Sequence, residues 1–176
     1  MPITYKNIEF EAVLGDITNQ PDVEAVVNAA NAELAIGGGV AGAIHRAAGP
    51  ELYEECKPLA PINPGEAVIT KAYNLPNKYV IHCLGPVYGS DKPEDELLAN
   101  CYKNALRLAE ENKISSIAFP SISTGAFRYP FQKATDVSFN TILGELERFK
   151  HLQKIRFVLF SEQDLRFYEE KLGKLE

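Results

Sequence analysis

The sequence predicts a three-layer α/β domain, in which helices cover both faces of a central sheet. Short apolar runs rich in Val and Ile alternate with segments whose apolar residues recur at helical spacing, an order typical of this class. The chain has 176 residues, of which 45% are hydrophobic. This is enough for one buried core, so we expect a single domain over residues 1–176.

Each element has its own signal along the chain. Apolar residues alternate in places over residues 3–18, which indicates one or two strands, and residues 23–31 form a β-branched run typical of a buried strand. One amphipathic helix is predicted after a glycine run, because apolar residues from Val40 to Cys56 recur at helical spacing. Further strands are predicted within 63–76, 77–87, 114–127 and 154–163, and further helices within 95–113, 132–149 and 162–175.

Composition and charge exclude several function classes. The net charge of −6 and the pI of about 5.2 argue against non-specific nucleic-acid binding, which needs clustered Lys and Arg. Residues 1–10 contain no apolar signal-peptide core, and no run approaches the ~20 apolar residues of a membrane helix. The odd set Cys56, Cys83 and Cys101 fits buried thiols in a reducing compartment. We therefore expect a cytoplasmic protein that does not bind membranes.

The glycine run is the first candidate site. Gly37, Gly38 and Gly39 have no Cβ, so their backbone amides can approach an anion closely. The helix that follows adds unpaired N–H groups and the positive end of its dipole. The run is neither a Walker A motif nor a dinucleotide fingerprint. A plain turn is the alternative interpretation.

A second polar segment follows the strand predicted within 114–127. Ser121, Ser123, Thr124 and Gly125 offer hydroxyl and amide groups to a phosphate. Two small polar loops that face each other would hold a diphosphate without a metal or a lysine. The alternative is a strand-to-helix connection that is merely rich in turn-forming residues.

Polar residues also end the first strands. Asp16 follows a strand, where its carboxylate could accept a hydrogen bond from an exocyclic amine such as that of adenine; a cap or turn residue is the alternative. Asn28 and Asn31 end the next strand. Buried asparagines need partners from the backbone or from a ligand, and ligand hydroxyls suit an amide that both donates and accepts.

Aromatic and histidine side chains are less informative. Phe127 and Phe160 lie in or beside candidate loops, but packing in the core is the usual role of Phe. His82 lies in a predicted strand and reads as structural, His151 reads as a surface residue, and His45 in the helix after the glycines fits either role. No set of His, Cys and carboxylates has the spacing of a zinc site.

The informative segments share one position relative to the predicted strands. Residues 28–39, 121–128 and 160–163 each follow a strand. Ligands of α/β sheets bind outside the carboxyl ends of the strands. We therefore expect these segments to converge on one cleft.

Five ordered blocks resemble the macro domain family. They are "GDIT" (15–18), "VVNAAN" (26–31), "GGGVAGAIHRAAG" (37–49), "GEAVITKAYNLPNKYVIHCLGP" (65–86) and "PSISTGAFRYP" (120–130). Their order and spacing match as well, and the likeness covers nearly the whole chain. The MacroD-type branch is nearest, through "AIHRAAGP" and "NLPNKYVIHCLGP".

The resemblance implies a mixed sheet of six or seven strands and an ADP-ribose cleft at its crest. In that cleft Asp16 would bond the adenine amine with the Ile17 amide beside it, and Phe160 would pack on adenine. Asn31 would bond the distal ribose hydroxyls and Phe127 would pack against that ribose, so these two residues are the catalytic candidates. The residues implied to hold the diphosphate are Gly38, Gly39, Val40, Ser123, Thr124, Gly125, Ala126 and Phe127.

One position departs from the MacroD pattern. Those hydrolases usually carry Asp two residues after the last glycine, where it is proposed to place or activate the attacking water, and this chain has Ala41. Other macro domains with Ala there are still regarded as hydrolases. The resemblance thus implies an enzyme that removes ADP-ribose from acidic side chains of proteins and deacetylates O-acetyl-ADP-ribose without a cofactor. The alternatives are a reader that binds ADP-ribose unchanged, and an NAD-dependent or phosphatase-like α/β enzyme.

Overall fold

A single seven-stranded sheet runs through the computed structural model, which describes residues 2–175. Its strands lie in the spatial order β1-β2-β7-β6-β3-β5-β4. The strands are β1 (Ile3–Tyr5), β2 (Ile8–Leu14), β3 (Ala25–Ala29), β4 (Ala67–Lys71), β5 (Tyr79–Cys83), β6 (Ser116–Phe119) and β7 (Lys154–Leu159).

The sheet is mixed, as the resemblance implied. The five central strands pair in parallel, whereas β1 and β4 pair antiparallel at the two edges. Central parallel strands are buried on both faces, which explains their continuous apolar runs. In β3 the side chains of Ala25 and Val27 join the core on one face, and Val26 joins the core on the other.

Five helices cover the two faces of this sheet and complete the predicted three layers. The helices are α1 (Gly39–Ala48), α2 (Pro50–Cys56), α3 (Glu94–Glu111), α4 (Phe131–Glu145) and α5 (Glu162–Gly173). Apolar residues of α3, α4 and α5 form one core with the sheet, and those of α1 and α2 form the other.

The single helix predicted after the glycines is wrong, because the chain forms two. Gly49 has φ +92°, a backbone conformation that ends α1, and Pro50 begins α2. Proline is favoured in the first helical turn, where its missing N–H group is not needed. Ile44 and Leu52 still pack into the same core, which is why the apolar spacing reads as continuous.

The three thiols are buried and free, as predicted. Burial raises the pKa of Cys56 to about 11 and that of Cys101 to about 12. The predicted domain runs from residue 1 to residue 176; these two terminal residues lie outside the described range of 2–175. Across residues 2–175, none of the helices combines the length and apolar character needed to cross a bilayer.

The parallel strands place the candidate segments at one edge of the sheet. Strands β2, β3, β5, β6 and β7 point the same way, and each is followed by a loop at its carboxyl end. The backbone N–H of Gly15 donates to Leu159 O (3.0 Å), and that of Ala30 donates to Cys83 O (2.8 Å). These bonds extend the strand pairing into the loops that follow.

Candidate functional site

A cleft of about 470 Å³ opens at the carboxyl edge of the sheet. It brings together the glycine segment, the Ser/Thr/Gly segment and the end of β7, as the sequence predicted. The residues that line it are Ala29, Ala30, Asn31, Gly37, Gly38, Gly39, Val40, Ala41, Gly85, Ser121, Ile122, Ser123, Thr124, Gly125, Ala126, Phe127, Val158, Leu159, Phe160 and Asp164.

The first loop, residues 37–40, leads into α1 without a side-chain cap. Gly38 is the N-cap residue, and no side chain accepts a hydrogen bond from the first amides of the helix. Gly39 has φ +55°, and a Cβ built there would point into open space. The left-handed backbone favours glycine. The first turn of α1 lines the cleft and has no side-chain cap, so its orphan N–H groups are open to a ligand there.

The second loop, residues 121–128, packs closely against the segment that follows β5. A Cβ on Gly85, which follows β5, would collide with Ser123 Oγ. Ser123 has φ +69° and is buried, and its hydroxyl has no hydrogen-bond partner within residues 2–175. A strained serine with an unpaired hydroxyl at a cleft wall is typical of a functional loop.

Internal hydrogen bonds hold the second loop in shape. Thr124 Oγ1 donates to Ser121 Oγ (2.9 Å), and the backbone N–H groups of Arg128 and Tyr129 donate to Gly125 O and Ser123 O (both 2.9 Å). For the described part of the chain, no acceptor is found for the backbone N–H groups of residues 123–127. These amides are therefore available to an anionic ligand.

The two asparagines have different roles. Asn28 is fully buried and does not line the cleft; its Nδ2 lies 3.0 Å from His82 Nδ1. Asn31 lines the cleft, and its side-chain amide is hydrogen-bonded to the backbone of Ala35. The interpretation that Asn28 bonds ligand hydroxyls is therefore corrected, because its side chain is buried away from the cleft and its Nδ2 pairs with a core histidine.

Two buried histidines, His45 of α1 and His82 of β5, lie with their ring centroids 6.4 Å apart. His82 Nε2 lies 2.9 Å from Thr70 Oγ1, which itself donates to Lys71 O, so His82 carries its proton on Nε2. Burial, with a smaller effect from His45, lowers the pKa of His82 to about 3, and burial also lowers the pKa of His45. The structural role predicted for His82 is confirmed, and His45 points into the core rather than into the cleft.

Asp16 lies just beyond the cleft wall. Its Oδ1 accepts from the backbone N–H (2.8 Å) and hydroxyl (2.7 Å) of Thr18, and these bonds lower the pKa of the carboxyl group. The backbone oxygen of Asp16 accepts from Gln20 Nε2 (2.9 Å), and Gln20 Oε1 accepts from buried Arg156 (2.9 Å). Asp16 is thus a turn residue in a well-held loop, and its second carboxylate oxygen has no partner among these bonds. Ile17 beside it is buried in the core.

Aromatic side chains flank the cleft. Phe160 follows β7 and is 71% exposed, which is unusual for a large apolar side chain in a monomer. Phe127 is half-buried, and its backbone oxygen accepts from the Tyr88 N–H (2.8 Å). Phe160 is therefore placed to contact a ligand, whereas Phe127 lines the cleft and also packs against the core beneath it.

Several cleft residues were not singled out from the sequence. Gly85 was signalled only by the Gly-Pro pair after β5, and Asp164 by its place three residues after the helix-capping Ser161.

Ala41, which the sequence analysis singled out, lines the cleft at the position where the MacroD pattern has Asp. Within residues 2–175 no group of three or more His, Cys, Asp or Glu side chains is arranged to hold a metal ion.

The arrangement suits a ligand with a central anionic group. Both loops line the cleft with backbone amides that lack protein acceptors, and no Lys or Arg of residues 2–175 lines it. No histidine lines it either, so the end formed by α1 and the second loop offers no side-chain general base.

Relatives by sequence share most of the chain. Residues 27–138, which include both loops, match the model of the family described as the Macro domain. The chain is 48% identical over 172 residues to an uncharacterized protein of Fusobacterium nucleatum, with 97% of this chain and 98% of that protein covered. It is 46% identical over 171 residues to a Klebsiella pneumoniae protein named O-acetyl-ADP-ribose deacetylase, with 94% and 97% covered.

Solved structures with similar folds contain nucleotides. The Oceanobacillus iheyensis macrodomain with ADP has a TM-score of 0.93 and 42% identity, over 99% of this chain and 95% of that one. The Trypanosoma brucei macrodomain in complex with ADP-ribose has a TM-score of 0.86 and 38% identity, over 93% and 69%.

Proposed function

The chain belongs to the macro domain family, and from this premise we propose that it binds ADP-ribose and hydrolyses ester-linked ADP-ribose derivatives. The substrates would be O-acetyl-ADP-ribose and proteins mono-ADP-ribosylated on acidic side chains. Two similar proteins support this proposal: the Klebsiella pneumoniae protein named O-acetyl-ADP-ribose deacetylase and the Trypanosoma brucei macrodomain in complex with ADP-ribose.

The proposal rests chiefly on the two loops that line the cleft with unpaired backbone amides. None of the described residues that line the cleft has a cationic side chain. The uncapped first turn of α1 offers orphan N–H groups on one side, and residues 123–127 offer unpaired N–H groups on the other. Oriented backbone amides bind phosphate groups well at a helix N-terminus or in a compact loop. A diphosphate held between the two loops would contact both sets.

At one end of the diphosphate the end of β7 favours an adenine base. Exposed Phe160 offers a ring face on which a base can stack. The free oxygen of Asp16 would accept a hydrogen bond from the adenine amine, and its carboxylate would repel the carbonyl oxygen that guanine carries at that position.

At the other end, Asn31 and Phe127 would hold the distal ribose. The ester bond on that ribose would then lie beside Ala41, which has no group able to take a proton. We assign the water to a phosphate oxygen of the ligand and a backbone carbonyl near the glycines. Water adds to the acyl carbon, the bond to the ribose oxygen breaks, and the ribose hydroxyl and the free acid leave. This is catalysis mainly by positioning.

A second candidate function is a reader that binds ADP-ribose and releases it unchanged. Ala41 favours this alternative, because the carboxylate of the MacroD pattern is missing. The two functions share the ligand and the cleft and differ only in turnover.

Calorimetric titration with ADP-ribose and with NAD tests the shared part. We expect saturable one-to-one binding of ADP-ribose and weaker binding of NAD, because the nicotinamide on the distal ribose would meet the wall formed by α1 and Phe127. No binding of ADP-ribose would overturn the proposal. Equal affinity for NAD would instead favour an NAD-dependent enzyme.

A further inference from the structure

Among the described residues that line the cleft, only Asp164 carries a formal charge. It lies in the first turn of α5, four residues after Phe160. An anion is out of place in a site that otherwise presents backbone amides to a phosphate. Its carboxylate must therefore face a part of the ligand that is not phosphorylated and that offers hydrogen-bond donors.

The carboxylate of Asp164 is free to accept such bonds. Its backbone N–H donates to Ser161 Oγ (3.1 Å), so Ser161 caps the helix and fixes the position of Asp164. Among the hydrogen bonds and ion pairs found in residues 2–175, none engages the Asp164 side chain. The group is partly buried, which strengthens any contact with a ligand relative to one in open solvent.

The position of Asp164 along the cleft selects one part of the ligand. This step rests on the proposed function, in which adenine stacks on Phe160 and the diphosphate lies between the two loops. In the sheet order β2-β7-β6-β3, the adenine subsite follows β2 and β7, and the diphosphate loops follow β6 and β3. Val158 and Leu159 end β7, Ser121 follows β6, and Asp164 lies in the first turn of α5 after β7, so these lining residues belong to the part of the cleft where the two subsites meet. The group that joins adenine to the diphosphate is the adenosine ribose, whose hydroxyls would lie along this wall.

We propose that Asp164 is a specificity residue that accepts hydrogen bonds from the free hydroxyls of the adenosine ribose and excludes ligands with a 2′-phosphate. A carboxylate accepts from hydroxyls but has no proton to offer a phosphate. It also repels that dianion, and no cation of the cleft wall offsets the repulsion. In dinucleotide-binding folds an acidic residue likewise bonds the 2′-hydroxyl, whereas an arginine accommodates the 2′-phosphate. The site would thus select ADP-ribosyl compounds derived from NAD over those derived from NADP.

Calorimetric titration of the full chain with ADP-ribose and with 2′-phospho-ADP-ribose tests this assignment. The native protein should bind the 2′-phosphorylated compound at least about tenfold more weakly, which is a difference in binding free energy of about 1.4 kcal/mol. Asp164→Asn, which removes the charge and keeps the shape, should reduce that preference by about tenfold. Asp164→Ala serves as a second variant.

Glu162→Gln is the matched control. Glu162 is in the same helical turn, but it is exposed, pairs with Arg166 and does not line the cleft. Neutralising it should leave the preference unchanged, which separates a local contact from the general negative charge of the helix start.

Three outcomes would overturn the assignment. Equal native affinity for both compounds would contradict it and leave the proposed function intact. If both Asp164 variants weaken ADP-ribose binding and keep the native preference, Asp164 contacts another part of the ligand. If the native protein binds neither compound, the proposed function fails, and this inference fails with it.

Discussion

Asn31 and Ala35 hold each other through two hydrogen bonds. Asn31 Nδ2 donates to Ala35 O (2.9 Å), and the Ala35 backbone N–H donates to Asn31 Oδ1 (3.0 Å). The pair closes the turn that leads from β3 to the first loop. A Cβ on Gly37 would lie only 3.0 Å from Asn31 Nδ2, so the glycine lets this turn pack tightly. Asn31 is therefore a positioning residue for the loop as well as a candidate ligand contact.

Asn31→Ala should lower turnover more than affinity. Loss of the Ala35 bonds loosens the turn, and loss of the amide lets the distal ribose move, which costs up to about 100-fold in rate. Binding energy from the adenine and diphosphate subsites should largely remain. Single-turnover rates and calorimetric affinities give the two quantities, and faster exchange of the Ala35 amide proton reports the loosened turn. Asn140→Ala is the control, because Asn140 is an exposed residue of α4 that does not line the cleft.

Equal proportional losses of rate and affinity would contradict this role for Asn31. They would mean that its contact is made equally in the ground state and the transition state.

Gly39→Glu should abolish binding without unfolding the protein. A side chain there would enter the space assigned to the diphosphate, and its charge would repel the ligand. Because Gly39 has φ +55°, any substitution also strains the backbone, and Gly39→Ala isolates that strain. Gly144→Glu places the same side chain in open space on α4 and should bind normally. Normal affinity in a folded Gly39→Glu variant would make the first loop an ordinary turn.

Asp16→Ala should weaken ADP-ribose binding by about 10- to 100-fold, since a hydrogen bond to a charged group contributes roughly 1.5–3 kcal/mol. Asp16→Asn keeps an acceptor for Thr18 and so preserves the turn. It should lose comparable affinity if the second carboxylate oxygen meets the adenine amine. The native protein should also prefer ADP-ribose to GDP-ribose, and equal binding of the two would count against this contact.

The buried histidines should make the free energy of unfolding depend on pH. In the unfolded chain a histidine binds a proton near pH 6.5, whereas burial lowers the pKa of His82 to about 3 and also lowers that of His45. Below pH 6.5 the unfolded state therefore binds more protons, and stability falls as the pH falls. For His82 the slope of the free energy of unfolding approaches about 1.4 kcal/mol per pH unit between its folded and unfolded pKa values, and His45 adds to it in the same direction.

Urea denaturation between pH 7.5 and 4.5 measures this slope. His45→Phe should reduce it, because it removes one of the two buried imidazoles while retaining a ring against Tyr53. A free energy of unfolding that stays flat between pH 7 and 5 would show that the two histidines accept protons without cost.

The alternation of strands and helices made most of the fold predictable. All the strand segments named from the sequence contain strands, because parallel central strands have apolar runs that differ clearly from amphipathic helices. The break between α1 and α2 was missed, since apolar residues on both sides face the same core. The Gly49-Pro50 pair is a typical helix boundary, and it is a stronger signal for two helices than the continuous apolar spacing is for one.

The loops of the candidate site were predictable, but their contacts were not. Glycine and serine runs after strands indicated both loops, since strand ends converge in a parallel sheet. The Asn31–Ala35 pair, the close approach of Gly85 to Ser123, and the position of Asp164 depend on three-dimensional contacts between segments or on turn geometry. No periodic pattern encodes contacts of this kind.

Cleavage of O-acetyl-ADP-ribose at saturating concentration, followed as release of acetate, tests the central claim most directly. The native protein should show turnover above the uncatalysed background, and Ala41→Asp should raise that rate modestly or leave it unchanged. Saturating substrate is required because the added carboxylate could repel the diphosphate and weaken binding. If the native protein binds ADP-ribose but shows no cleavage above background, and Ala41→Asp creates it, the hydrolase proposal is wrong and the chain is a reader.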